Sequence, residues 1–573
     1  MIKPDSYTQR YMRKRRKEDR RIAYFSMEVG LDAKVPTYSG GLGILAGDTI
    51  KSCADLNVPL VAVTLLYRDG YFDQKLDAQG LQTEHPCQWR PDEHMTLLPE
   101  RITVTIENRT VVVQAWMYTV NGAGGYFVPV IFLDTDFEGN SPFDCSLTHR
   151  LYGDDDRYRL AQEIILGIGG VRMLKELGFD NIARYHMNEG HASLLTLELL
   201  RQIRISQEGA DWDVETVRRM CVFTTHTPVP AGHDQFFYDL VHQLLGDFIP
   251  FDVLKELGGR DKLNMTLLAL NLSDYINGVA KEHGKVSREM FPGYHIDFIT
   301  NGIHSATWVS ESFKKLFDTY IPGWINDNFA FRYALSIPKD EIWQAHQTGK
   351  SALIRYLAEK KGVTFEPDVL TIGFARRSTA YKRADLLFRD IDRLCSICRT
   401  VGKIQFVFAG KAHPKDWNGK ELIKKIYSVA GQLGDSVKVV YLENYNVDLA
   451  KILVSGVDVW LNTPRRPQEA SGTSGMKAAH NGIPSLSILD GWWIEGCIED
   501  LTGWSIGGIG EVASSDERDA ISLYDKLEKS VIPEYYHNRD HWIDIMRNCI
   551  AINASFFNTH RMVQQYVLNA YSY

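Results

Sequence analysis

The chain has no apolar run long enough to cross a bilayer. Its longest apolar stretches, such as Val58-Pro-Leu-Val-Ala-Val-Thr-Leu-Leu66, stop well short of the roughly 20 residues a spanning helix needs, so no membrane partner is expected. Cysteine is sparse: 8 in 573 residues, scattered without a framework, which fits a reducing, cytoplasmic compartment. Cys395-Ser-Ile-Cys398 is a single CxxC inside a helical pattern; without a second pair it reads as helix packing, not zinc or redox chemistry. Metal-ligand spacing is missing too, because His186 and His191 stand at i, i+5 and not at the i, i+4 that puts two imidazoles on one helix face. No metal is therefore expected. A strong charge of either sign is also lacking: net −8 with a pI near 6.1 argues against a general nucleic-acid binder. The one exception is the basic run Arg10 to Arg21, broken by Glu18 and Asp19. It reads as a solvated helix or an arm against a partner subunit, and with no apolar segment behind it, it is not a secretory signal.

What is present is the grammar of α/β folding. At 573 residues the chain calls for more than one core. Ile22 to Glu28 reads as an apolar strand, Ser39-Gly-Gly-Leu-Gly43 as a glycine turn opening a helix, and Val58 to Leu66 as the next buried strand. Strand, glycine turn, helix and strand form the βαβ unit of a doubly wound sheet. Ile102 to Leu133 alternates as a β-rich elaboration. Strands ending in polar tips then recur at Arg184-Tyr-His-Met-Asn-Glu-Gly-His191, Cys221-Val-Phe-Thr-Thr-His-Thr-Pro228 and Phe298-Ile-Thr-Asn-Gly-Ile-His304. Ligands of open α/β sheets sit beyond the carboxyl ends of strands, so Glu189, His191, His226 and Asn301 are candidates to line one cleft; taken singly, each is also an ordinary capping or loop residue. Helices over 310 to 365 lead to a second strand–helix series at Val369–Ala375, Ile404–Ala409, Val437–Leu442 and Val457–Leu461, and the pattern after about 520 is helical.

The most informative stretch is Glu469-Ala-Ser-Gly-Thr-Ser-Gly-Met-Lys477. Two glycines among three hydroxyls let successive amides form an anion-binding concavity. The run from Met476 reads as a helix stopped by Asn481-Gly482, which places that concavity at a helix N-terminus. A lysine one turn inside suits a Schiff base to a phosphorylated aldehyde, which points to pyridoxal phosphate. The same nine residues are equally compatible with a Ser/Gly surface turn and a solvated lysine.

Taken with Arg376-Arg-Ser-Thr-Ala-Tyr-Lys-Arg383, the stretch resembles the α-glucan phosphorylases of glycogen, starch and maltodextrin, in their compact prokaryotic branch. Further matching runs stand in the same order: SGGLG at 39–43, THT at 225–227, NGVAKEH at 277–283, TNGI at 300–303, FAGKAHP at 408–414, LENYNVDLA at 442–450 and NGIPSLSILDG at 481–491. The resemblance implies two Rossmann-like domains facing across a cleft (the GT-B arrangement), with residues 1–308, 309–540 and a closing segment 541–573 that packs back on the first domain. It implies a retaining glycosyltransferase that cleaves terminal α-1,4-glucosyl units with inorganic phosphate to give α-glucose 1-phosphate, and a homodimer.

Carried over by residue, Lys477 would hold pyridoxal 5'-phosphate. Arg376, Lys382 and the Gly472, Thr473 and Ser474 loop would surround the cofactor phosphate, with Tyr445 nearby. Arg377 and Lys382, with an amide near Gly41, would bind substrate phosphate. Glu469, Ser471, Gly472, Asn301 and His226, with Glu189 and His191, would face the sugar. Departures from the family pattern fall at Arg376, at Ser474-Gly475 and at Pro464–Gln468, and no counterpart of a phosphorylatable N-terminal segment is evident. Two other readings remain open at this level: a nucleotide-sugar-dependent glucan synthase of the same architecture, and a non-catalytic glucan-binding protein.

Overall fold

A computed structural model of the chain describes residues 19–152, 155–206, 211–434, 436–508 and 515–572. Most of the basic run therefore lies outside the described residues. Its penultimate residue, Arg20, is 1% exposed and donates to Leu60 O, Tyr126 Oη and Phe127 O at 3.2, 2.7 and 2.6 Å. At that end the run is built into the fold.

Among the described residues there are nineteen strands. Those of the first half are β1 (Ile22–Ser26), β2 (Leu60–Leu65), β3 (Asp73–Leu76), β4 (Gln82–His85), β5 (Thr96–Ile106), β6 (Arg109–Asn121), β7 (Phe127–Asp134), β8 (Arg184–Asn188), β9 (Cys221–Thr224), β10 (Gln235–Phe237), β11 (Lys262–Asn264), β12 (Tyr275–Gly278) and β13 (Asp297–Phe298). The second half holds β14 (Leu370–Ala375), β15 (Ile404–Ala409), β16 (Lys438–Leu442), β17 (Val459–Asn462), β18 (Ser485–Ile488) and β19 (Gly503–Ile506). β1, β2, β14 and β15 are buried along their whole length. That explains why they read as unbroken apolar runs: helices cover both faces of a parallel sheet.

The first sheet runs β13-β12-β9-β8-β1-β2-β7-β6-β5, parallel from β13 to β7. β6 and β5 add on antiparallel, so the expected β-rich stretch extends the main sheet. The second sheet runs β16-β15-β14-β17-β18-β19, all parallel, which is the doubly wound order 3-2-1-4-5-6. The α/β fold expected from the sequence is what is observed. In each sheet the strand order reverses beside the first strand, between β1 and β8 and between β14 and β17, and such a reversal opens a crevice at the carboxyl ends.

The two halves are joined through the β3–β4 hairpin. Gln74 Nε2 donates to Gly410 O at 2.8 Å, Gln82 Nε2 to Ala412 O at 2.9 Å, and Leu76 N to Glu443 Oε1 at 2.7 Å. At the C-terminal end, Trp542, Ile543, Ile545 and Met546 belong to the apolar core of the second half. Met562, Val563, Tyr566 and Tyr571 lie in the core against β1, β2 and β7. The chain changes partner around Asn558, which bridges to Ile303.

Candidate active site

β14 ends at Ala375, and the next residues are tied across to neighbouring strands: Arg376 N donates to Ala409 O (3.1 Å) and Ser378 N to Lys411 O (2.9 Å). Arg383, the last residue of the run, donates from Nε to Thr463 O at 3.0 Å and from Nη2 to Pro464 O at 2.7 Å. Those bonds weld the basic loop after β14 to the loop after β17. The consequence is a shared acceptor: Arg376 Nη2 and Lys382 Nζ both donate to Glu469 Oε2, at 2.8 and 2.5 Å. Burial would raise the Glu469 carboxyl, but the Arg376 and Lys382 charges outweigh it and hold it below its ordinary value. Arg376 still has two buried donors without a partner, Nε and Nη1, and Ser471 Oγ is likewise buried and unpartnered. Orphaned donors beside two cations are what an anion site leaves when only protein atoms surround it.

Gly472 sits at φ +81, a backbone shape that disfavours a side chain. The helix that follows is Ser474–Ala479, and Lys477 lies one turn inside it, as the sequence pattern implied. The Ser474-Gly475 departure has a local cause. Ser474 Oγ accepts from Trp460 Nε1 at 3.0 Å, and a Cβ on Gly475 would fall 2.7 Å from Trp492 Cζ2. Lys477 is 7% exposed, and its amine rests 3.9 Å from the centre of the Trp308 ring. Burial pushes it down to about 8, with Asp48 opposing and Lys51 assisting, so a usable fraction is unprotonated near neutral pH. Arg377 is exposed on the same basic loop and acts on Tyr71, which burial raises and Arg377 partly restrains, to about 12. Tyr445 is raised by burial and by Tyr38, with Arg376 opposing.

The facing edge of the first sheet is different. Glu189 follows β8 with φ 78. Its carboxylate accepts from Gly190 N (3.0 Å), His226 N (2.7 Å) and Thr227 Oγ1 (3.0 Å), so it stitches the tips of β8 and β9. Asn188 donates its amide to Ser26 Oγ at 3.1 Å and accepts from His226 Nε2 at 2.6 Å. Burial pushes His226 down to about 3, assisted by three neighbouring histidines, so the ring is neutral and its Nδ1 is an acceptor.

His191 is also pushed to about 3, by burial first and then by Arg159. Its Nδ1 is buried without a partner, and its ring meets Tyr152 edge-on at 6.0 Å. Asn301 lies further along the edge, after β13; its Oδ1 is buried and unpartnered, while its carbonyl accepts from Arg561 Nη2 at 3.0 Å. At the start of the helix Gly41–Asp55 there is open space, with nothing within 4 Å of a Cβ built on Gly41.

Four residues were not singled out from the sequence. Glu28, just past β1, accepts from Ser39 N (2.5 Å), Gly40 N (3.2 Å) and Tyr152 Oη (2.6 Å). Trp308 and Asp48 form the floor under Lys477, with Trp308 Nε1 donating to Asp48 Oδ2 at 2.7 Å. Asp490 accepts from the backbone of Glu469. Only Glu28 had a signal, its place at the end of the first strand.

His186 and His191 do not converge, since His186 is committed to Tyr571 Oη and Thr224 Oγ1. Asp55, His304 and His560 do meet. However, Asp55 Oδ2 takes hydrogen bonds from the two imidazoles at 2.7 and 3.2 Å, the contacts of a clasp between chain segments. No helix among the described residues is long and apolar enough to cross a membrane.

The family described as carbohydrate phosphorylase matches residues 250–503. A maltodextrin phosphorylase from Thermococcus litoralis is 41% identical over 96% of this chain and 70% of its own length. Glycogen phosphorylases from Aquifex aeolicus and Mycobacterium tuberculosis are 34% and 36% identical, again over 96% of this chain, and over 86% and 70% of their own lengths.

Proposed function

On the premise that this chain belongs to the carbohydrate phosphorylase family, we propose how its two sheet edges divide one reaction. The enzyme is a cofactor-dependent α-glucan phosphorylase, a retaining glycosyltransferase that uses phosphate to release glucose 1-phosphate from α-1,4-glucan. The observation that carries the reading is the convergence of Arg376 and Lys382 on a single oxygen of Glu469, next to the desolvated amine of Lys477.

The cofactor in this reading is pyridoxal 5'-phosphate, held through Lys477, with Arg376, Lys382 and the amides of Gly472, Thr473 and Ser474 around its phosphate and Tyr445 beside it. When bound, it supplies a phosphate group that gives and takes a proton next to the substrate phosphate. The orphaned Arg376 donors, the left-handed Gly472 and the buried lysine over an aromatic floor fit that group.

The protein's own task is electrostatic. Two like unit charges about 4 Å apart repel by roughly 4 kcal/mol at an effective dielectric near 20, a floor for two phosphates, and Arg376, Arg377 and Lys382 offset that repulsion. Arg377 and Lys382, with an amide near Gly41, hold the substrate phosphate. Glu469, Ser471, Gly472, His226 and Asn301, with Glu189 and His191, present hydrogen-bonding groups to the glucosyl hydroxyls. A neutral imidazole suits a sugar, because it adds no charge that would draw phosphate to the wrong side.

The proposed division into 1–308, 309–540 and 541–573 places this chemistry in the cleft between the first two units, in a homodimer located in the cytoplasm. Incubation with maltoheptaose and inorganic phosphate tests the function: glucose 1-phosphate accumulates. Activity that instead requires UDP- or ADP-glucose, or glucan binding with no sugar phosphate formed, overturns it.

A further inference from the structure

Asp490 lies two residues past the end of β18 and is 3% exposed. Its Oδ2 accepts from Glu469 N at 2.9 Å and its Oδ1 from Gly491 N at 2.9 Å. The next residue, Trp492, donates its N–H to Ser471 O at 2.8 Å, so the β18 tip is laced to both ends of the Glu469–Ser471 segment. Yet no Lys, Arg or His among the described residues forms an ion pair with Asp490: Lys382, which faces it, pairs with Glu469 instead, as does Arg376. A second buried carboxylate thus stands behind the first without an ion-pair partner of its own. Burial and the Glu469 charge raise its carboxyl to about 7, against the two backbone amides and Lys382. Such a group opposes folding when ionised, and carboxylates kept under those conditions gather at working sites.

We propose that Asp490 is a positioning residue of the phosphorolysis: ionised, it accepts both backbone amides and fixes Glu469, whose side chain in turn orders Arg376 and Lys382. An ionised carboxylate offers acceptors on both oxygens, whereas an asparagine must turn an NH₂ toward one of the two amides. The charged groups that face Asp490 are Glu469 and Lys382. The inference rests on the phosphorolysis reading for its catalytic half only.

The test is Asp490→Asn in the holoenzyme, alone and combined with Glu469→Gln. Turnover with maltoheptaose and phosphate should fall on the order of ten- to a hundred-fold, as expected when a working group is displaced by a fraction of an ångström. In a Glu469→Gln background the same substitution should cost nothing further. The melting temperature of Asp490→Asn relative to the unmodified protein should shift in the variant's favour as pH rises from about 4, the unfolded value, to about 7, the folded one, and then level off. A carboxylate whose folded value is depressed gives the opposite trend. Undiminished turnover, losses that multiply with Glu469→Gln, or a flat or reversed pH trend overturns the proposal. Asp490→Ala, which introduces no opposing donor, carries the same measurements if the asparagine variant does not fold. If the unmodified enzyme forms no glucose 1-phosphate, the functional reading fails while the pH trend still reports on Asp490.

Discussion

The tips of the two sheets are built on the same plan and differ in charge. After β14 and β17 the chain delivers Arg376, Arg377, Lys382 and Lys477; after β1, β8 and β9 it delivers Glu28, Glu189 and two imidazoles held neutral at about 3. Both edges exploit a strand-order reversal to open a crevice. The difference shows that the architecture selects where a ligand lies and the tip residues select what kind. In the proposed reading the cationic tip receives phosphate, and the tip of carboxylates and neutral imidazoles receives hydroxyls.

The comparison breaks most completely at Lys477. Lys477→Ala is expected to abolish turnover together with the cofactor's visible absorbance, and an active variant without bound cofactor would refute the cationic-edge assignment. Next comes Arg377→Ala, which removes a charge and leaves glucan contacts in place. The Michaelis constant for phosphate should rise roughly ten- to a hundred-fold, the span of about 1.5–3 kcal/mol for a charged hydrogen bond, while that for maltoheptaose stays within about two-fold; equal rises would erase the division between the edges.

His226→Ala should produce the mirror image, with glucan binding weakened by about ten-fold for a lost net hydrogen bond and phosphate binding spared. The neutral imidazoles also make a pH statement. A histidine that is neutral in the fold down to about 3 but titrates near 6.5 when unfolded contributes stability that is full above about 6.5 and is lost as pH falls toward 3. His191→Gln should flatten that acid-side loss, measured as melting temperature against pH; an unchanged slope would mean the ring is charged in the fold. The smallest effect is expected at the seam. Gln82→Ala strips the donor from Ala412 O and should lower stability by about 1–3 kcal/mol without separating the two Michaelis constants.

Much of this was legible along the chain. Buried parallel strands are continuous apolar runs, so β1, β2, β14 and β15 announce themselves. The glycine-hydroxyl loop before Lys477 carries its chemistry in consecutive residues, as does the basic run 376–383. Glu189, His191 and His226 could be suspected because each follows a strand. Asp490, Trp308 and Asp48 could not. Asp490 matters because β18 lies next to β17 and brings its tip to the backbone of Glu469. Trp308 and Asp48 matter because two distant segments meet beneath an amine. The shared grip of Arg376 and Lys382 on one oxygen is likewise invisible in sequence spacing, since it requires Arg383 to weld two loops together.

The order of residues alone determined the α/β class and the placement of a lysine one turn into a helix behind a glycine-hydroxyl loop, because each depends on neighbours within a few positions and on local backbone preferences. Which charges face each other, which imidazoles lose their proton and which carboxylate is left without an ion pair were decided only by the tertiary structure. Those properties depend on distance and burial, and both are set by how the strands are ordered across the two sheets.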